Sequence, residues 1–175
     1  MSTEPRPADS DSTDWTFVIT DGCRQCGYVP HDVTETARRL ADLPGRWSKA
    51  LERPNATIRP QEGIWSPVEY GCHSRDLIEV LGERIELILG GDRPTFANYD
   101  GEAEVVSGRF WEADPAELAQ QIASETERTI SIYQRVTEGD WDRKGLRGDG
   151  KAMTIADLSR YLLHDLEHHL VDVDG

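Results

Sequence analysis

The run Thr154-Ile155-Ala156-Asp157-Leu158-Ser159-Arg160-Tyr161-Leu162-Leu163-His164-Asp165-Leu166-Glu167-His168-His169 decides the fold class. Thr154 offers a side-chain acceptor to the free N–H groups of a helix start. Asp157 places an acid three residues later, where the positive end of a helix favours it. Behind that cap, Leu158, Tyr161, Leu162, His164, His168 and Val171 recur with the 3.6-residue period of one helix face. The same device stands at Asp32-Val33-Thr34-Glu35, Ser66-Pro67-Val68-Glu69 and Asp114-Pro115-Ala116-Glu117. Two of these put proline at the first helical position, where its missing donor costs nothing. Four caps, each leading into an apolar stripe, predict helices over about 32–51, 67–89, 115–137 and 155–173. The fold class that follows is all-α, a four-helix bundle.

The connections are unequal. Pro44-Gly45 should kink or interrupt the first helix, and Gly90-Gly91 ends the second. From Gly90 to Ala113 runs a long crossover carrying Phe96, Tyr99, Phe110 and Trp111, expected to pack as a lid over one end of the bundle. The glycine-rich stretch Glu138–Met153 should hold a small hairpin around Gly148-Asp149-Gly150. Ahead of the bundle, which spans 32–175, residues 1–13 read as a disordered tail. Residues 14–31 hold Trp15–Ile19, expected as an extended piece, and the turn Cys23-Arg24-Gln25-Cys26-Gly27.

Charge narrows the partners. The 175 residues carry 33 Asp and Glu against 19 Lys and Arg, a net charge of -14. Neutralising phosphates needs a basic face, so nucleic acid is excluded as a partner, and an anionic membrane surface is disfavoured. No apolar run approaches the roughly 18 residues that span a bilayer. The polar start lacks the apolar core of a secretion signal, so the cytoplasm is the expected compartment. Three cysteines do not make a disulfide framework. Arginine outnumbers lysine heavily (only Lys49, Lys144 and Lys151), which points to a genome rich in G and C.

Histidine spacing carries the chemistry. His164 and His168 are four apart, so on a helix their Cβ atoms lie about 5–6 Å from each other, and two imidazoles at that spacing can bind one ion. His169 next door opens a second reading, a solvated cluster. His73 falls on the apolar stripe of the second helix with Tyr70, Leu77 and Leu81, where an unpaired imidazole is costly. It reads either as a satisfied core histidine or as a ligand. Because a bundle juxtaposes inward faces, His73, His164 and His168 form the candidate metal triad. Three neutral imidazoles leave coordination positions open, as catalytic sites do, and the ion then acidifies a bound water or thiol. Asp76 and Asp165 are the candidate catalytic acids. Glu69 and Asp172 stand one turn from a candidate ligand, and for each acid a solvated face is the competing reading. Three imidazoles suit Zn, Ni, Fe, Co or Mn.

The stretches Trp65-Ser66-Pro67-Val68-Glu69-Tyr70-Gly71-Cys72-His73 and Tyr161-Leu162-Leu163-His164-Asp165-Leu166-Glu167-His168-His169 resemble the DinB-like superfamily over about 32–173. The resemblance implies an up-down-down-up bundle with a long crossover between the second and third helices. It implies a divalent metal on His73, His164 and His168, with His169 replacing His168 if the last helix is rotated. Its characterised members include thiol-dependent S-transferases and mycothiol-dependent maleylpyruvate isomerases. On it rests the first functional expectation: a metal-dependent transferase that passes a low-molecular-weight thiol, of mycothiol type, to a small electrophile. A metallohydrolase is the alternative. A non-catalytic metal-binding module, such as a homodimeric stress-response protein, is a third.

Cys23-x-x-Cys26-Gly27 lies outside that resemblance. It is half of a structural zinc site needing two more ligands, with His31 or an acid to complete it, or a redox pair, or two packing thiols. Cys72 adjoins His73 but points about 100° away along the helix, as a small buried residue would.

Overall fold

A computed structural model describes residues 4–175; the first three residues of the expected tail lie outside the described residues. In chain order the helices are α1 (Val18–Asp21), α2 (Thr36–Ala41), α3 (Leu43–Leu51), α4 (Pro67–Gly90), α5 (Gly101–Ser107), α6 (Pro115–Tyr133) and α7 (Ile155–Asp172). The four bundle members are α2 with α3, α4, α6 and α7. Each begins at the cap the sequence marks. Thr154 with Asp157, and Ser66 with Glu69, close full capping boxes. Asp114 accepts from the Glu117 N–H, and Asp32 opens a short 3-10 turn ahead of α2. The first helix breaks at Asp42. Pro44 has no N–H for the Leu40 carbonyl and its ring crowds that oxygen, so α2 closes at Ala41 and α3 restarts with Pro44 in its first turn.

Side-chain pairs fix the directions of the helices. On α4, Gly71 faces Leu118 of α6 and Gly82 faces Thr129, so the two helices run parallel. Between α4 and α7 the order reverses: Tyr70 meets His169, whereas His73 meets Asp165. The first helix runs with α7, since Arg39 pairs with Glu167 and Arg53 donates to the carbonyls of Val173 and Asp174. The bundle is therefore up-down-down-up. Parallel neighbours α4 and α6 need a connection as long as a helix, which is the reason for the crossover. That crossover is not structureless: it contains α5 and a 3-10 turn at Phe110–Glu112. Phe96 in it donates its N–H to Leu146 at 2.7 Å, tying it to the expected hairpin. The hairpin pairs β1 (Lys144–Leu146) with β2 (Ala152–Thr154) antiparallel, with Gly145 opposite Met153.

Trp15–Ile19 is not extended. Asp14 caps a 3-10 turn over Trp15–Phe17 that continues into α1. Val18, Ile19, Cys23 and Tyr28 are buried, and α1 lies on α7. Over residues 4–13 the chain forms neither helix nor strand, yet it is tied down: the Asp9 N–H donates to the Gly63 carbonyl at 3.0 Å and the Asp11 N–H to Glu102 Oε1 at 2.9 Å.

The start of α4 hangs on one buried acid. Glu69, fully buried, accepts from the Ser66 N–H and hydroxyl, both at 2.8 Å, and from Arg59 Nε at 2.9 Å. Removing it leaves a mostly buried guanidinium and a helix cap without partners. Glu69→Ala should lower unfolding free energy by about 3 kcal/mol, read as a lower urea midpoint at unchanged m-value.

Candidate metal centre

The setting of α7 about its own axis decides the site. Leu158, Leu162, Leu166 and Leu170 are fully buried and form its core stripe. His164 and His168 lie two residues beyond Leu162 and Leu166, about 200° round the helix and so on the opposite face. Asp165 and His169, three residues beyond, come back to about 60° from the stripe, beside α4. The expected triad of His73, His164 and His168 is therefore divided. His73 stands with Asp165 and His169, whereas His164 and His168 stand with Cys23 and Cys26. Within each group the donor atoms lie within 4.8 Å of one another.

In the first group, Asp165 Oδ2 lies 3.4 Å from His73 Nε2 and 3.5 Å from His169 Nε2. That oxygen is buried and has no hydrogen-bond partner among the described residues. Both imidazoles are oriented from behind. His169 Nδ1 is 2.8 Å from Asp172 Oδ2, and His73 Nδ1 is 3.4 Å from the Tyr99 hydroxyl. Each far nitrogen thus has its own partner, and it is the two Nε2 atoms that face the carboxylate. Burial works against ionisation of Asp165, but His169 and then His73 outweigh it and hold the carboxyl well below its usual range. Burial likewise opposes a charge on His169, and Asp165 and Asp172 overcome it, raising the imidazole. For donors 2.0–2.2 Å from one tetrahedral ion, the separation is about 3.4 Å. Both nitrogens stand at this spacing from the orphaned oxygen and within 4.8 Å of each other, a set that fits a divalent ion with open positions.

These groups line a cleft of about 980 Å³. Trp15, Trp65, Tyr70, Tyr99 and Tyr161 form much of its wall, the crossover supplies Asn98 to Glu102, and the N-terminal residues Asp9, Asp11 and Thr13 border it. Burial pushes the Tyr70 hydroxyl up to about 12 and moves Tyr99 and Tyr161 further in the same direction, so all three stay protonated donors at neutral pH.

The second group lies on the side of α7 turned to the N-terminal segment, and its His164 and His168 border the same cleft. Cys23 Sγ is 3.7 Å from His168 Nδ1, and the rings of His164 and His168 are 5.2 Å apart. Burial pulls the His164 imidazole down to about 4 and also lowers His168, so both are neutral lone-pair donors. Cys26 is pushed up to about 11, by burial first.

The remaining candidates are engaged elsewhere. Asp76 accepts from Arg75 Nε at 2.8 Å and Nη2 at 2.6 Å and is not in the cleft wall. Glu69 serves the α4 cap. His31 has both ring nitrogens occupied, by Tyr28 at 2.9 Å and Thr36 at 2.8 Å, so it does not complete a Cys23/Cys26 site. Cys72 is buried, its thiol pushed up to about 12 by that burial. The sequence reading held His169 open as a replacement for His168 and named Asp172 among the flanking acids; what it missed is Asp165 as a donor in the set and Tyr99 as an orienting group. The spacing Asp165-x-x-x-His169 was as visible as His164-x-x-x-His168; what was lacking was the rotation of α7.

The sequence model of the DinB superfamily matches residues 49–172. No curated protein matches this chain by sequence. Among solved structures, YfiT from Bacillus subtilis, described as a probable metal-dependent hydrolase with an unusual four-helix bundle topology, superposes with a TM-score of 0.72 at 19% identity, covering 81% of this chain and 85% of that one. The mycothiol-dependent maleylpyruvate isomerase superposes at 0.64 with 15% identity, covering 83% of this chain and 62% of its own, just under two thirds of that protein. At these identities the likeness is one of fold.

Gly101 packs its backbone against His73. A Cβ there would stand 2.7 Å from the ring Cε1 and 2.8 Å from Nδ1, so the imidazole must swing away. Forcing the ring off its rotamer costs on the order of 1 kcal/mol. Gly101→Ala should therefore weaken divalent-ion binding at His73 by about tenfold. Unfolding stability should not fall, because alanine suits the first turn of α5 better than glycine does. Metal titration beside thermal denaturation checks both halves.

Proposed function

The chain belongs to the DinB superfamily, and on that footing we propose that it is a metal-dependent enzyme whose ion is held by His73, Asp165 and His169, and that it transfers a low-molecular-weight thiol to a small electrophile. The observation that carries the metal reading is the orphaned Asp165 oxygen between two imidazoles whose other nitrogens are already engaged. A divalent ion on these donors supplies Lewis acidity, which makes a thiol or a water nucleophilic at neutral pH.

The chain's own residues do the rest. Asp172 and Tyr99 keep the imidazoles pointed at the carboxylate. Tyr70, Tyr99 and Tyr161, made still harder to ionise by burial, present hydroxyls to polar atoms of whatever enters. Trp15 and Trp65 offer flat apolar faces that exclude water. The thiol reading draws its support from size: about 980 Å³ lies at the upper end of single-ligand sites, roughly 300–1,000 Å³, which suits two reactants side by side. Hydrolysis is the second reading, favoured by the description of YfiT as a probable metal-dependent hydrolase.

The test is turnover of the zinc-, nickel- or manganese-loaded chain with a small electrophile, with and without a low-molecular-weight thiol such as mycothiol. Thiol-dependent conjugation, reduced roughly 100-fold or more in kcat/KM by Asp165→Asn and by His169→Ala, is expected. Turnover of esters or amides at a rate indifferent to thiol decides for hydrolysis. A loaded chain inert to both overturns the enzymatic reading.

A further inference from the structure

We propose that Cys23, Cys26, His164 and His168 form a second metal site, a closed tetrahedral one that holds zinc and fastens the N-terminal segment to α7.

The ligand pattern is one reason. Cys-x-x-Cys followed by His-x-x-x-His is the donor spacing of closed Cys2His2 sites, and the fold brings all four donors within 4.8 Å of one another. With Zn–S near 2.3 Å and Zn–N near 2.0–2.1 Å, a tetrahedral ion sets sulfur and nitrogen about 3.6 Å apart. Cys23 Sγ and His168 Nδ1 are at 3.7 Å. Two sulfurs with two nitrogens in tetrahedral array favour zinc over the harder divalent ions.

An unmet hydrogen-bonding demand is another. His164 is 2% exposed, and neither of its ring nitrogens has a hydrogen-bond partner among the described residues. A neutral imidazole so buried loses both its donor and its acceptor bonds, a cost that coordination of one nitrogen relieves. His164 lies opposite the leucine stripe of α7 and would face solvent if nothing covered it. It is buried because Tyr28 meets it edge-on and Trp15 stacks on it, with ring centroids 5.5 Å away in each case. The N-terminal segment thus buries a polar ring that it does not satisfy by hydrogen bonding, while bringing two thiols to the same place.

This site differs from the triad of His73 in kind. Four protein donors fill it, so it offers no position to a substrate. Half of its ligands lie before residues 49–172, the part that matches the family. Its His164 and His168 border the cleft directly. Trp15 and Gln25, which line the cleft, belong to the segment that the ion would pin.

Cobalt substitution of the full-length, reduced chain tests it. The wild-type chain should show thiolate-to-cobalt charge-transfer absorption with the d–d bands of tetrahedral cobalt. Cys26→Ser should lose that absorption. His73→Ala should keep it while losing about one equivalent of total metal. A reduced wild-type chain without the charge-transfer band overturns the proposal, whether or not it takes up cobalt elsewhere. A band that survives in the Cys23→Ser/Cys26→Ser chain overturns it equally. The wild-type spectrum depends on no variant folding, and the His73→Ala arm keeps a failure here apart from a failure of the catalytic triad.

Discussion

Adjacent residues on a helix diverge by about 100°, and in α7 that rotation divides four ligand-bearing positions between two places. Leu158, Leu162, Leu166 and Leu170 are each fully buried and hold the helix in one setting about its axis. Given that setting, Asp165 and His169 must face α4, and His164 and His168 must face the segment that precedes the bundle. Neither pair can be repositioned without exposing leucine, at about 2 kcal/mol per side chain. The hydrophobic stripe is therefore also the device that keeps the two donor sets apart. Asp172 stands between them: its Oδ2 is 2.8 Å from His169 Nδ1 and 3.8 Å from His168 Nε2.

The two donor sets differ as their surroundings do. His73, Asp165 and His169 offer two imidazoles and a carboxylate at a cleft, a set with room for exchangeable ligands and no strong preference among the divalent ions. Cys23, Cys26, His164 and His168 offer two sulfurs and two nitrogens under a tryptophan. The large acid surplus of the chain bears on few of these positions. Asp165 sits within the first set and Asp172 behind it, Asp32, Asp114 and Asp157 serve helix starts, and Glu69 does so while holding a buried arginine.

What the sequence made legible follows from the range of the physics involved. Helix starts are set by side chains within four residues, so the four caps and the break before Pro44 could be read directly. The hairpin at Gly148-Asp149-Gly150 was likewise local. Rotation of α7 is a tertiary property. An apolar stripe drawn through Leu158, Tyr161, Leu162 and His164 fits the period as well as one drawn through Leu158, Leu162, Leu166 and Leu170, and only packing against α2, α3 and α4 selects the second. That choice turned His168 away from His73 and put His169 in its place. Trp15–Ile19 alternates too briefly to separate a strand from a helical turn, and the turn wins because Asp14 caps it and Val18 and Ile19 pack on α7.

The N-terminal segment then has a purpose that local propensity does not suggest. Residues 15–28 bury few apolar side chains, and a piece of that size does not stabilise itself in water. Its four-residue helix and its turn, with Gly22 and Gly27 at positive φ, are ordered only as far as α7 holds them. Apolar contact through Val18, Ile19 and Tyr28 supplies part of that hold. A tetrahedral ion between this turn and two histidines of α7 supplies the rest in the arrangement proposed here, by closing a loop of more than a hundred residues whose free ends would otherwise cost entropy to bring together. The wall of the cleft that Trp15, His164 and His168 build is then as firm as that closure, and the second donor set holds the shape of the cleft that the first one borders.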